Sequence, residues 1–232
     1  MPATEIKVLG SARDSRTPDR AEVRFRVNKW GRERDYMHRS VTAAVAELTD
    51  ALRQLTDRQP QALEDHSVAQ ISQRSWKDDI GTAYSESVDV TVVFTDFQVM
   101  SQWIFNESSD TVRVVSIKWG LSTAAQTEVS IALGVEAVRE ARRKAETFAV
   151  AAGLTITGLQ SLSEPAPAGN NGTPAAGPTA PTTITVFDET EYGIDITPIP
   201  IDSEVRLLAH FVAEPELDSQ ALSTRRRMSV AY

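Results

Sequence analysis

His38, His66 and His210 are the only imidazoles in the 232-residue chain. An imidazole can hold a metal or move a proton near neutral pH. A metal centre needs several such groups converging, as HExxH arranges on one helix face. These three belong to no such motif. His38 stands off an apolar helical stripe and reads as a solvated side chain. His210 alternates away from Val205, Leu207 and Phe211. Asp78 and Asp79 are paired carboxylates in sequence only, because successive side chains on a strand point to opposite faces. Asp188, Glu189, Glu191 and Asp195 offer the oxygens that Ca²⁺ takes, without EF-hand spacing or its glycine. Gly169-Asn170-Asn171-Gly172 sits in a proline-rich run, not between a strand and a helix, so it makes no phosphate cradle. There is no GxSxG, P-loop or GxGxxG. With no cysteine, disulfides and thiolate chemistry are excluded. The residues predict no catalytic, cofactor or metal site, and a chain that is not an enzyme.

The elements are easier to read than the chemistry. Gly134, Val138, Ala141, Ala145, Phe148 and Ala152 recur at steps of four and three, which predicts a helical stripe of small residues. Thr123 and Gln126 have capping-box spacing, and Gly153 suits the left-handed residue that ends a helix. Helix over 127–152 would span about 39 Å. Gly134 costs about 1 kcal/mol against alanine, which predicts a close crossing there or a later helix start. A second helix is expected over 34–55 from Val41, Val45, Leu48, Leu52 and Leu55, and a short third over 97–105 from a Thr95–Gln98 box. Ala21, Val23, Phe25 and Val27 alternate with charged residues as a half-buried strand does. Extended segments over 63–76 and 83–95 predict a long hairpin turning at Lys77–Gly81. Val112 to Trp119 is apolar on both faces, which suits a central strand. Trp103 and Trp119 read as core; Trp30 and Trp76, near element ends, suit an interface.

Lys144-Ala145, Phe148-Ala149, Ala152-Gly153-Leu154, Ile156, Gly158 and Glu164 form an ordered signature. Gly10, then Pro18-Asp19-Arg20-Ala21, then an alternating strand precede it, and Ile196 to Pro200 leads into a last strand at 205–211. In this order the motifs resemble the SIMPL-domain family. The family commonly has a glycine before that last strand, where this chain has Asp202-Ser203. The resemblance implies an α+β fold of one domain over 1–213: a mostly antiparallel sheet of about six to eight strands, with long helices packed on one face. Strand 205–211 is expected to return to that sheet. Residues 165–181, with five prolines and three glycines, read as a flexible insert, and 214–232 as a polar tail. The family has no settled biochemical function. It includes bacterial periplasmic and outer-membrane-associated antigens, proteins linked to stress response, and members that form ring- or channel-like oligomers.

The charge excludes more than it assigns. The net charge is −8, and 145–205 carries eight acids with no lysine or arginine, while the remaining residues balance at 24 against 24. That disfavours nucleic-acid binding, which needs a basic surface. The expected effect of the acidic span is solubility. No stretch approaches the roughly 20 apolar residues of a membrane helix. MPATEIKVLG lacks the apolar core of a signal peptide, so the expected location is the cytoplasm. The leading expectation is a non-enzymatic, self-associating scaffold, a homo-oligomer using the hairpin and strand edges. The alternative is a binding module with a cleft between helices and sheet for a small ligand or peptide.

Overall fold

Burial follows the alternation of the sequence. Ala21, Val23, Phe25 and Val27 are fully buried in β2 (Arg20–Gly31), and Val88, Val90, Val92 and Phe94 are their counterparts in β5 (Gly81–Phe94). The two strands pair antiparallel over their length, with Val23 opposite Val92 and Phe25 opposite Val90. The computed structural model describes residues 3–164, 183–185 and 196–215. These residues group into two compact units, one from the described parts of Ser15–Ala125 and Ala180–Ile201, the other from the described parts of Met1–Asp14, Gln126–Thr179 and Asp202–Tyr232.

The first unit is built on a six-stranded antiparallel sheet. Its other strands are β3 (Leu63–Val68), β4 (Ser72–Asp78), β6 (Val112–Gly120) and β8 (Thr183–Thr185). The order is β3-β5-β2-β6-β8, and β4 also pairs with β5. Two helices cover one face, α1 (Arg34–Arg58) and α2 (Phe97–Glu107). Val41, Leu48, Leu52, Met100, Trp103 and Ile104 pack with the apolar faces of β2, β5 and β6 in one cluster. Each large side chain buried there contributes about 1.5–3 kcal/mol. Trp103 meets Phe25 edge-on at 5.1 Å, and Trp119 meets Phe97 at 4.9 Å. The expected core tryptophans are therefore core. These side chains line the space between α1, α2 and this sheet.

The second unit carries a separate sheet, β1 (Thr4–Arg16), β9 (Ile201–Pro215) and β7 (Leu154–Ser163), in the order β1-β9-β7. The fold is α+β with antiparallel sheets, as expected. The last strand does not rejoin the β2 sheet, however. β2 has both edges occupied by β5 and β6, and Ala209 and Phe211 of β9 pack instead with Val8 of β1 and with Ala141 and Ala145 of α3 (Thr123–Ala151).

The buried line of α3 is Val129, Leu133, Ala137, Ala141, Ala145 and Ala149. Ala141 and Ala145 were expected; Phe148 and Ala152 are exposed, with Phe148 at 56 %. Uniform steps of four wind across the helix surface, whereas alternating fours and threes run straight along it. The close crossing is real but lies on the strand side. A Cβ on Gly10 would stand 2.8 Å from Ala141 Cβ and nearer still to the Ala137 carbonyl oxygen. A Cβ on Gly134 would meet nothing within 4 Å, and the helix starts well before it. Both expectations for Gly134 are thereby overturned.

The helix ends are also set by neighbours. Ser122 Oγ accepts from the Ala125 N–H, the role expected of Thr123. Ser122 in turn donates its N–H and its hydroxyl to the two Asp19 carboxylate oxygens, at 2.6 and 2.7 Å. Asp96, not Thr95, caps α2 by accepting from the Gln98 and Val99 N–H groups, while Thr95 Oγ1 donates to the Gln61 carbonyl. Gly153 takes φ 68° at the end of α3, as predicted.

Candidate functional site

A hollow opens on the first unit's sheet, on the face away from α1 and α2. Along one edge of β5, β3 pairs with Val90–Phe94 and β4 with Gly81–Ser87. The chain between β3 and β4 leaves the ladder after Ala69, whose N–H still donates to the Asp89 carbonyl at 2.8 Å. Val88, Val90 and Val92 face the core, so Ser85, Ser87 and Asp89 face the other way. A cavity of about 410 Å³ lies over them. Short side chains floor it: Ser85, Ser87 and Asn28. Arg26 and Asp89 stand at one end, and Ser72, Arg74, Ala69 and Gln70 form the wall.

Its electrostatics are asymmetric. Arg26 and Asp89 are directly opposed and form a bidentate pair, Nε to Oδ1 at 2.7 Å and Nη2 to Oδ2 at 2.9 Å. Those hydrogen bonds hold the Asp89 carboxyl below its ordinary range; partial burial opposes them, and the charges of Arg26 and Arg24 add to them. Arg74 has no hydrogen-bond or ion-pair partner among the described residues. Ser85 Oγ donates to Asn28 Oδ1 at 3.1 Å. Trp30 lies opposite Ser85 across the β2–β5 ladder and is 71 % exposed. Further along the same face, Arg24 and Ser116 are cross-strand partners; Arg24 Nε and Ser116 Oγ are both buried without a hydrogen bond among the described residues. The arrangement can receive a negatively charged group and hydrogen-bond its surroundings.

The histidines do not converge on it. His38 Nδ1 lies 3.2 Å from Glu86 Oε2. Glu86 is buried and also accepts from Gln73 Nε2 at 2.6 Å, and Gln73 Oε1 accepts from Arg34. His38 is thus half-exposed and anchored to a buried carboxylate, rather than simply solvated. Sequence reasoning passed over Glu86. Its signal is parity, since it shares the core-facing register of Val88 and Val90. His66 is exposed on β3. His210 Nδ1 sits 3.0 Å from Glu5 Oε1, with Nε2 buried and unpartnered. Asp78 pairs with Arg32 and accepts from the Ile80 N–H, which keeps its carboxyl low. Among the described residues no three metal-ligating side chains gather. The Gly169–Gly172 run and Asp188, Glu189, Glu191 and Asp195 lie outside the described residues, as do the 165–181 insert and most of the 214–232 tail. Trp76, like Trp30, is exposed, at 44 %.

The second unit presents the edges of its three-stranded sheet. On β1, the Ser11 N–H donates to Glu140 Oε2 and Lys144 Nζ donates to the Leu9 carbonyl, both at 2.9 Å. Glu140 and Lys144 are themselves paired at 2.6 Å, which holds the Glu140 carboxyl below its ordinary range. Side chains of α3 thereby occupy backbone groups that an edge strand leaves open. Strand β7 has β9 on one side and no strand on the other among the described residues. Its Leu159 and Leu162 are 47 % and 46 % exposed.

No helix of the described residues is long and apolar enough to cross a membrane. No curated protein matches the chain. The sequence pattern of SIMPL, described as a protein of unknown function (DUF541), matches residues 6–197. That span takes in Gly10 under α3, Asp19 beside Ser122 at its start and Lys144 to Gly153 at its end, and it covers well over half of the residues, so the chain belongs to the SIMPL family.

Proposed function

We propose that this chain is a non-enzymatic, self-associating assembly module, and that β7 of one copy pairs antiparallel with β7 of a second. The observation that carries the reading is the asymmetry of the β1-β9-β7 sheet. Glu140 and Lys144 occupy the β1 edge, while ten residues of β7, including exposed Leu159 and Leu162, have no strand on one side among the described residues. A sheet with one open edge joins a second copy around a two-fold axis and closes, whereas two open edges propagate into filaments. Exposed Ile80 at the β4–β5 turn, at 82 %, gives the hairpin a further apolar contact.

Size-exclusion chromatography with light scattering tests this on the full chain. A dimer or a multiple of dimers is expected, and Leu159→Lys with Leu162→Lys is expected to return it to monomer with unchanged circular dichroism. Charged residues on an edge oppose strand addition. A wild-type chain that stays monomeric at micromolar concentration refutes the proposal, and so does a lysine variant that assembles unaltered.

A further inference from the structure

The outer face of the β5 sheet has features that self-association through β7 does not use. Arg26, Asn28, Ser85, Ser87 and Asp89 project from adjoining positions of β2 and β5 into one hollow. Its volume, about 410 Å³, falls in the usual range for small-molecule sites, roughly 300–1,000 Å³. A hollow forms there because the floor residues are short and the flanking strand is interrupted between β3 and β4.

The charges select the ligand. Asp89 neutralises Arg26 through two hydrogen bonds. Arg74, directly across the ladder from Ser85, remains uncompensated among the described residues. Arg24, on the same face but outside the lining, leaves a buried Nε without a partner among the described residues. The lining therefore carries an excess positive charge, in a chain whose net charge is −8. A guanidinium binds carboxylate or phosphate through two parallel N–H donors, more strongly than neutral groups do. Hydroxyls of Ser72 and Ser87 line the same space and can donate to the remaining oxygens. Trp30, across the ladder from Ser85, offers an indole face to a ring attached to that anion.

We infer that the hollow over Ser85 and Ser87 is a binding site for a small organic anion, whose carboxylate or phosphate sits on Arg74 and whose planar ring lies against Trp30. Asp89 sets the strength of the site by keeping Arg26 occupied. Removing its charge releases a second guanidinium toward the ligand.

The test titrates the full chain with phenyl phosphate, benzoate, inorganic phosphate and benzyl alcohol, read by calorimetry and tryptophan fluorescence. Saturable binding of phenyl phosphate or benzoate below about 10 mM is expected, with each tighter than its ring or anion alone. The better of the two identifies the anion. Arg74→Ala should weaken binding about tenfold or more, and Asp89→Asn should tighten it several-fold. Trp30→Ala should weaken the ring-bearing probes but not inorganic phosphate. Lys77→Ala removes the same charge from the opposite face of β4 and should change nothing. Equal losses in Arg74→Ala and Lys77→Ala would reduce the effect to overall charge and overturn the inference, as would no saturable binding by any probe. Both outcomes are independent of the assembly reading, because none of these residues lies on β7.

Discussion

Replacing Gly10 with alanine probes the contact that holds α3 on its sheet. The new Cβ would stand 2.8 Å from Ala141 Cβ and closer to the Ala137 carbonyl oxygen. Ordinary carbon–carbon contact is about 3.5–4.0 Å, so α3 must move by roughly 0.7 Å or more. The obstruction is largely helix backbone, which cannot rotate aside as a long side chain would. Overpacking of a close-packed interior costs about 1–3 kcal/mol. A gain of about 0.4–1 kcal/mol from a stiffer unfolded chain requires an unstrained native site, which is lacking here. The net expectation is a loss of about 2 kcal/mol, or about 4–8 °C in Tm for a chain of this size. Moving α3 also draws Glu140 and Lys144 off Ser11 and Leu9, so the Ser11 amide should lose hydrogen-exchange protection. Urea and thermal unfolding followed by circular dichroism measure the first effect, and amide exchange the second. A Gly10→Ala protein as stable as wild type would refute the contact.

The same substitution at Gly134 should act with the opposite sign. Its Cβ meets nothing within 4 Å, so Gly134→Ala is expected to stabilise by about 0.5–1 kcal/mol through helix propensity, and a loss in urea midpoint would contradict the open surface there. Asp19→Ala removes both bonds to Ser122 and should cost about 1–2 kcal/mol in chemical unfolding, with Asp19→Asn recovering part of the loss. Asp89 has a depressed carboxyl, so its pairing with Arg26 stabilises fully above about pH 4 and is lost as pH falls below that. Wild type and Asp89→Asn should accordingly differ most in Tm at neutral pH and converge toward pH 2. Burial raises the Glu107 carboxyl, the reverse case. Its favourable state is the protonated one, so stability is lost as pH rises from about 4 through the folded pKa, and Glu107→Gln should gain Tm over wild type above that pH but not below it.

Most of the local structure was legible because it depends on neighbours in sequence. The alternation at Ala21 to Val27 gave β2, and the spacing of Val41, Leu48 and Leu52 gave α1. Gly153 gave the end of α3, since a left-handed φ is a property of a single residue. The caps were read one residue off, at Thr123 and Thr95. Spacing alone cannot tell which of two adjacent oxygens a distant group will orient. Asp19, more than a hundred residues from Ser122, decided the first case.

The sequence by itself determined the α+β class and most of the helices and strands, though not β8 or the break between β3 and β4, since helical and strand periodicities differ and are written in short windows. Only the tertiary structure decided that the strands divide between two sheets. It also decided that the glycine permitting close contact is Gly10 rather than Gly134, and that Arg26, Arg74, Ser85 and Ser87 enclose one hollow. Each of these depends on residues brought together from far along the chain, where pairing is set by which edge is free and which face is filled.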